Sequence, residues 1–273
     1  MRFAFGQVEV GITGDEKFCQ VLPPRWQKYR RLPDPTQPAV ELNIREASAI
    51  ETGSYEDGWN TERYLLNKTV FYVQDRKALL ALQYQRLQTC ATIMPRDATA
   101  GCVLPGLQFG LLLALNQQYI GLHGVTLLCG YEIIILSAPS GTGKTTLAGL
   151  LEAYRDAIVI NGDFALLKPT PEGVIFEPTP FCGSSGRCLN RRLKVDRIVF
   201  LEQAAANVFQ ELSGREAMTR FMSNAFIPTW DRDMQQSAQE NILKCVSALK
   251  VNAFGFTPTE EAAATLFDQL KHQ

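Results

Sequence analysis

The feature that most constrains the fold is a glycine-rich loop at residues 138–146, with the sequence APSGTGKTT. An apolar run, IIIL at residues 133–136, precedes this loop, and a helical pattern over residues 145–153 follows it. Glycines let the backbone wrap closely around a polyphosphate, and the N–H groups at a helix N-terminus carry partial positive charge. A loop in this setting predicts a nucleotide-binding α/β domain.

The residues of the loop have separate predicted roles. Lys144 is expected to reach the β and γ phosphates of a nucleoside triphosphate, and the Thr145 hydroxyl is expected to ligate Mg²⁺. Ala138 stands where the motif G-x-x-x-x-G-K-[ST] has its first glycine, a position that mainly shapes the entry to the turn. The residues predicted to contact the nucleotide are Ser140, Gly141, Thr142, Gly143, Lys144, Thr145 and Thr146.

Two acidic residues end apolar strands near the loop in sequence. Asp163 follows AIVI at residues 157–160, and its carboxylate could hold Mg²⁺ or take a proton from an attacking hydroxyl. The alternative for Asp163 is the capping of a turn. Glu202 ends RIVFLE at residues 197–202 and competes with Asp163 for the metal role.

The segment at residues 180–192, PFCGSSGRCLNRR, combines a glycine-bounded loop with arginines. Guanidinium groups suit phosphate or carboxylate, so this segment could face the transferred phosphoryl group. A solvated basic turn is an equally good interpretation. Arg187 is the preferred catalytic candidate because it directly follows the loop that Gly183 and Gly186 bound. Arg220 could reach the nucleotide or form a surface ion pair.

The remaining patterns predict a chain in two parts. Residues 1–100 form an N-terminal α+β region of unknown role, with strands at 2–10 and 69–73 and a proline-rich surface loop at 23–38. Residues 101–273 form the nucleotide-binding domain. Its predicted helices are 107–119, 145–153, 214–224, 234–250 and 259–271, and its predicted strands are 125–128, 133–136, 157–160, 173–176 and 197–201.

Composition excludes several other classes of protein. The chain has 273 residues, 46% of them hydrophobic, and a formal charge of −1, which fits a globular protein and gives no electrostatic drive toward nucleic acid or membrane. Its N-terminus has no signal peptide and no apolar run approaches a membrane span, so we expect a cytoplasmic protein. The seven cysteines have scattered spacing and are expected to be reduced thiols, with a Cys182–Cys188 redox switch as the less favoured alternative.

Four features in this order resemble the C-terminal catalytic domain of HPr kinase/phosphorylase: His123-Gly124-Val125, the hairpin TLLCGYEIII, the loop APSGTGKTT and a strand ending near Asp163. The resemblance covers roughly residues 120–205. It implies a phosphoenolpyruvate-carboxykinase-like P-loop nucleoside triphosphatase core of α/β class, with a smaller β-rich N-terminal region.

The resemblance also implies roles for individual residues. His123 would line the phosphoryl site, Asp163 would be the second member of an Asp pair, and Glu177 would be a Mg²⁺-associated glutamate. It favours Asp163 over Glu202 as the metal-associated acid. Gly162 stands where the family has the first Asp of the pair, and Pro178-Thr179 replaces the Arg-Gly expected after Glu177.

The sequence therefore predicts an ATP- or GTP-dependent, Mg²⁺-requiring kinase that transfers the γ-phosphoryl group to a hydroxyl of a protein, peptide or small molecule. HPr itself is not the expected acceptor, since the segment that couples the family's two activities has no clear counterpart. The alternative, favoured by Gly162, is a nucleotide-binding regulatory or scaffold module without transfer activity. A carboxykinase reaction is disfavoured because two histidines, His123 and His272, are a poor basis for a transition-metal site. The protein could also form a homo-oligomer.

Overall fold

The computed structural model describes residues 1–32, 39–45, 62–66, 69–74, 77–84, 89–95 and 97–271. The chain is a mixed α/β protein with two compact units. The first unit comprises Met1–Gln117 and Pro228–Gln235, and the second comprises Gln118–Ile227 and Gln236–Gln273. The predicted division at residue 100 lies ahead of a helix that belongs to the first unit in the structure.

The first unit contains a seven-stranded sheet in its described residues, with the order β1-β2-β3-β7-β6-β5-β4. The strands are β1 (Arg2–Phe5), β2 (Val8–Gly14), β3 (Ala39–Ile44), β4 (Glu62–Leu66), β5 (Thr69–Gln74), β6 (Lys77–Tyr84) and β7 (Cys90–Pro95). The helices are α1 (Glu16–Cys19), a short 3-10 helix (Pro24–Tyr29) and α2 (Ala100–Leu115), which lies against β7 and β3.

Two predictions for the N-terminal residues of the first unit need correction. The predicted strand 2–10 is a hairpin, β1 and β2, because a turn with Gly6 at φ +64° interrupts it. The predicted surface loop at 23–38 contains the 3-10 helix, whose Trp26 and Tyr29 are buried against Phe5. Residues 33–38 of that prediction lie outside the described residues.

The predicted helix 107–119 is α2, which begins earlier and ends earlier. Asp97 accepts from the backbone N–H of Thr99, and the Thr99 carbonyl accepts from the N–H groups of Cys102 and Val103, so the helix starts at Ala100. Pro105 lies inside this helix and not at its start. Residues 116–119, predicted as the last helical turn, form a turn instead, and a strand begins at Ile120.

The second unit is a nine-stranded sheet, within the described residues, with helices on both faces. The strand order is β13-β12-β11-β8-β9-β14-β16-β15, and β10 also pairs with β8. The strands are β8 (Ile120–Cys129), β9 (Glu132–Ser137), β10 (Ile158–Asn161), β11 (Phe164–Thr170), β12 (Gly173–Glu177), β13 (Leu193–Val195), β14 (Arg197–Gln203), β15 (Val208–Glu211) and β16 (Lys250–Phe256). The helices are α3 (Lys144–Arg155), α4 (Gly214–Asn224), α5 (Arg232–Ala248) and α6 (Glu260–Lys271), with a 3-10 turn at Gly183–Ser185. The part of α5 up to Gln235 is assigned to the first unit. None of the helices in the described part of the chain is long and apolar enough to cross a membrane.

Two apolar clusters hold the sheet of the second unit between its helices. On one face, Leu147 and Leu151 of α3 pack with Leu266 of α6 against residues such as Leu136. On the other face, Phe221 of α4 belongs to a second cluster that includes residues of α5. Burial of these side chains stabilises the fold by roughly 1.5–3 kcal/mol each relative to exposure.

A buried ionic cluster fixes the starts of the three parallel strands β9, β14 and β16. The Arg197 side chain is fully buried, donates from Nε to Glu132 Oε2 at 2.9 Å, and donates from Nη1 to Asn252 Oδ1 at 2.8 Å. Because an unpaired buried guanidinium would be strongly destabilising, these contacts set the register of the strands. At the carboxyl end of β9, Ser137 consequently pairs with Phe200 of β14, which continues to Gln203.

Several strands of the second unit were not predicted from the sequence. The predicted strand 125–128 is the second half of β8, and the predicted helix 234–250 ends at Ala248, before β16. The strands β11, β13, β15 and β16 had no predicted counterpart. The strand predicted at 133–136 and the helices predicted at 145–153, 214–224 and 259–271 match β9, α3, α4 and α6.

Candidate nucleotide site

The glycine-rich loop joins β9 to α3, as the sequence predicts. Gly141 and Gly143 have φ values of +82° and +107°, a region that residues with a Cβ rarely adopt. A Cβ on Gly143 would also lie 3.0 Å from the ring of Phe256. The Thr142 hydroxyl donates to the Pro139 carbonyl at 3.0 Å and closes the turn. The exposed Thr145 and Thr146 follow in the first turn of α3, where free backbone N–H groups can meet an anion.

Lys144 is the buried cation of the loop. Its side chain folds back so that Nζ donates to the carbonyl of Ala138 at 2.7 Å and to that of Pro139 at 3.0 Å. Burial lowers the pKa of Lys144, while the nearby carboxylate of Asp163 acts in the opposite direction. The ammonium group is therefore held at the entry of the loop, and Ala138 supplies a carbonyl that any residue could supply.

His123 and Asp163 form a pair on one flank of the loop. His123 lies within β8, next to Phe164 of β11, and its Nε2 is 3.2 Å from Asp163 Oδ1. The backbone carbonyl of His123 accepts from the Ser137 hydroxyl at 2.8 Å, and the backbone N–H of Gly124 donates to the Asp163 carbonyl at 2.9 Å. Both residues are about 40% exposed, so the pair borders solvent and the loop.

Asn161 holds the turn that carries Asp163. Its Oδ1 accepts from the backbone N–H groups of Asp163 at 3.1 Å and Phe164 at 3.0 Å, and its Nδ2 donates to the Thr179 carbonyl at 3.2 Å. Asn161 is buried. Sequence reasoning missed this residue, although an Asn two positions before a strand-end carboxylate is typical of such turns.

The segment at residues 180–192 lies against this turn. The backbone N–H of Gly162 donates to the Arg187 carbonyl at 3.0 Å, and that of Leu189 donates to the Ile160 carbonyl at 2.8 Å. A Cβ on Gly162 would overlap the hydroxyl oxygen of Ser185 and would lie 2.8 Å from its Cβ. The Ser185 side chain thus fills the space in which a side chain at residue 162 would begin.

Arg187 is engaged by a residue that sequence reasoning did not single out. Its two terminal nitrogens donate to the two carboxylate oxygens of Glu152 on α3, and this bond raises the pKa of Arg187. The pair ties the segment to the helix that follows the loop. The catalytic role predicted for Arg187 would require its guanidinium to leave this partner.

Glu177 lies in a different setting from the one its predicted metal role needs. It is fully buried at the end of β12, and Arg192 Nε donates to its Oε1 at 3.0 Å. Burial, reinforced by the Glu177 carboxylate, raises the pKa of Tyr119 to about 12. The guanidinium of Arg192 balances the charge of the Glu177 carboxylate. The role of Glu177 as a metal ligand stays a prediction.

The remaining predicted metal ligands have the right chemistry for Mg²⁺. Thr145 offers an exposed hydroxyl and Asp163 a carboxylate, both hard oxygen donors. In the described residues no group of three or more His, Cys, Asp and Glu side chains could hold a metal ion. Mg²⁺ commonly takes only one or two protein oxygens and completes its shell with water and substrate phosphates, so the residues present fit it.

A pocket opens on the other flank of the loop. It has a volume of about 570 Å³ and is bounded by residues 137–142, the end of β14 and one side of α4. Arg220 of α4 donates from Nη1 to Glu202 Oε2 at 3.0 Å across its wall. The sequence identified Glu202 and Arg220 singly but not the pocket that they share.

All seven cysteines are free thiols, as expected. Cys182 and Cys188 are both buried within the segment beside Asp163.

No family model and no curated protein matches the chain. Among solved structures it is similar to one described as the Hpr(Ser) kinase/phosphatase from Coxiella burnetii, at 9% sequence identity and a TM-score of 0.32. That match covers 55% of this chain and 88% of the other. The similarity is distant and establishes neither a family nor the carboxykinase-like core, so the function has to be inferred from the site itself.

Proposed function

We propose that the chain is a kinase that uses ATP or GTP with Mg²⁺ and transfers the γ-phosphoryl group to a hydroxyl. The observation that carries this proposal is the strand–loop–helix at residues 132–155, with Lys144 buried at its entry and the Asp163–His123 pair beside it. A turn that served only to connect two elements would not need a buried ammonium group facing a carboxylate.

Each residue of the loop flank has a role in this proposal. The N–H groups of the loop and the first turn of α3 bind the phosphate oxygens, and Lys144 exchanges its carbonyl partners for them. Thr145 and Asp163 would hold Mg²⁺, which neutralises negative charge on the phosphates when it is bound. His123 and the backbone bonds of the Asn161 turn keep the Asp163 carboxylate in place.

Gly162 supports the second candidate, a nucleotide-binding module without transfer activity. The resembled family has a carboxylate at this position, and here Ser185 occupies the adjoining space. Its hydroxyl donates to the Cys182 carbonyl at 2.6 Å, so it is already part of the local structure. A kinase would then need its proton acceptor elsewhere.

A transfer assay separates the two candidates. The purified chain is incubated with radiolabelled ATP, Mg²⁺ and a pool of hydroxyl compounds and peptides, and Asp163→Asn is compared with Asp268→Asn on an exposed part of α6. We expect Asp163→Asn to lower transfer about 100-fold and to weaken nucleotide binding much less, because the carboxylate would hold the Mg²⁺ that neutralises the transferred group.

One outcome would contradict the kinase, and another would contradict the role of Asp163. If nucleotide binds and is never consumed with any acceptor, the module is the correct function. Full transfer by Asp163→Asn would remove Asp163 from the reaction, and the Asp268→Asn control shows whether a lost carboxylate alone has an effect.

A further inference from the structure

The pocket beside the loop has walls that determine which ligands it can take. Its volume of about 570 Å³ lies in the range of small-molecule sites and is too small for a folded domain. The polar side chains on the α4 side come from one face of that helix: Thr219, Arg220, Ser223 and Asn224.

The two hydroxyl groups on this wall already use their protons in hydrogen bonds to the helix backbone. Thr219 Oγ1 donates to the Arg215 carbonyl and Ser223 Oγ to the Thr219 carbonyl, both at 3.0 Å. Asn224 Nδ2 donates to the Arg220 carbonyl at 2.8 Å. What these two hydroxyls can still offer to the pocket is oxygen lone pairs, so they can accept hydrogen bonds from a ligand but not donate them.

The charged pair of the pocket adds a further acceptor. Glu202 is about half exposed, and one of its oxygens accepts from Arg220. Its other oxygen, Oε1, has no partner among the residues that the structure describes. The one guanidinium on the α4 side of the pocket is balanced by this carboxylate, so that side adds no net positive charge for an anionic ligand.

The pocket also adjoins the place where a terminal phosphate would be held. Ala138 and Pro139 line it, and their carbonyls are the partners of Lys144 Nζ. Since Lys144 reaches the β and γ phosphates in loops of this type, a compound in the pocket would lie next to the γ-phosphoryl group.

We propose that this pocket binds the phosphoryl acceptor, that the acceptor is a small compound with several O–H or N–H donors, a polyol or an amino alcohol, and that Glu202 accepts its proton. This inference rests on the proposed kinase function. In the step, the acceptor oxygen bonds to the γ phosphorus and its proton passes to Glu202 Oε1. The bond from the γ phosphorus to the bridging oxygen breaks, and its electron pair leaves with the nucleoside diphosphate.

Binding and transfer are measured separately to test this proposal. Saturation-transfer NMR detects binding of glycerol, myo-inositol, ethanolamine and serine to the protein without nucleotide, and ADP release with ³¹P NMR of the product detects transfer. The first two compounds test polyols and the last two test amino alcohols. A fluorescent ATP analogue reports nucleotide binding in every variant.

Three variants are compared with wild type. Ser223→Leu fills the pocket from an exposed helix position, and Glu202→Gln keeps the shape of the side chain but removes its charge. Thr219→Val removes a hydrogen-bond acceptor from the wall of the pocket. Its matched control is Thr265→Val on α6, because Thr265 Oγ1 also donates to a carbonyl four residues earlier, at 2.8 Å, and does not line the pocket.

We expect at least one compound to bind and to be phosphorylated. Ser223→Leu should raise the acceptor KM at least about tenfold, Thr219→Val a few-fold, and Glu202→Gln should lower kcat about 100-fold, all with unchanged nucleotide affinity. Thr265→Val should match wild type.

The proposal is overturned if no compound binds, or if Ser223→Leu leaves binding and KM unchanged. It is also overturned if transfer occurs only to peptides. Loss of the kinase function itself has a different signature, because the ATP analogue would then fail to bind or would bind without any turnover, and the acceptor assignment would fall with it.

Discussion

The two flanks of the glycine-rich loop are built in opposite ways. On the Asp163 flank, backbone and side-chain bonds join three segments of chain, and Asn161, Gly162 and Ser185 leave little free space. On the Glu202 flank, Thr219, Ser223 and Asn224 of α4 bond to their own helix and border an open pocket. A rigid flank suits a constant partner such as a nucleotide with its metal, whereas an open flank suits the partner that differs between enzymes.

The largest expected effect on ligand binding comes from Lys144, whose side chain lies between the two flanks. Lys144→Ala should weaken nucleotide binding about 100-fold, roughly 2.7 kcal/mol, because it removes the cation that meets the phosphates. Titration calorimetry with ATP and Mg²⁺ measures this. Lys244→Ala, at an exposed position of α5, is the control and should bind as wild type does. Equal affinity of both variants would refute the assignment of the loop.

A pair of asparagines tests the difference in rigidity directly. Asn161→Ala removes three hydrogen bonds at a buried turn and leaves N–H groups unpaired, so it should lower the free energy of unfolding by about 2–4 kcal/mol. Asn224→Ala on the open flank should cost less than about 1 kcal/mol, since its bond is to its own helix. Urea unfolding followed by circular dichroism gives both values. Similar losses in the two variants would remove the distinction between the flanks.

Gly162 tests how tightly the Asp163 flank is filled. Gly162→Asp should destabilise the protein by about 1–3 kcal/mol, because its Cβ overlaps the Ser185 hydroxyl. Adding Ser185→Gly should recover part of that loss, and the thermal midpoints of the two single variants and the double variant measure the coupling. Strict additivity would show that Ser185 is not the obstacle. Transfer activity in the double variant would also reveal whether a restored carboxylate is useful there.

The smallest effect is expected at the exposed ion pair. Each single change, Glu152→Arg or Arg187→Glu, should lower the free energy of unfolding by roughly 0.2–1 kcal/mol, the usual value of such a pair. The double variant, in which the two charges are exchanged, should recover that loss. A double-mutant cycle in low salt and in about 1 M salt checks this, because screening should abolish the coupling. A coupling that persists in high salt would mean that the contact is more than an exposed ion pair.

The sequence predicts those parts of the fold whose patterns are local. The apolar run before the loop, the glycines of the loop and the amphipathic helices α4 and α6 are visible in short windows, and the structure contains each of them. The strand β16 was missed because its residues directly follow a helical pattern, and only pairing with β14 makes them a strand. Pro105 was wrongly interpreted as a helix start signal, because the Asp97–Thr99 turn already starts α2 at Ala100.

The candidate site divides in the same way. Lys144 and its neighbours belong to one motif, so their location follows from the sequence. The contact between His123 and Asp163 joins residues 40 positions apart and depends on how β8 pairs with β11. Glu152, Ser185 and Thr219 have no chemical signature in the sequence, because their importance lies in which segments fold against them.

The position of Lys144 has a consequence for selectivity. Without a ligand, the Lys144 ammonium group already donates hydrogen bonds to two carbonyl oxygens. An incoming anion must therefore displace partners that the fold already holds in position. Chloride or acetate, with a single charge, gains little from that exchange. In the proposed kinase, a triphosphate would engage the amides and the ammonium group at once and would gain enough to displace the two carbonyls. We therefore expect the loop to discriminate between anions by their number of charges, before any part of the nucleoside is recognised.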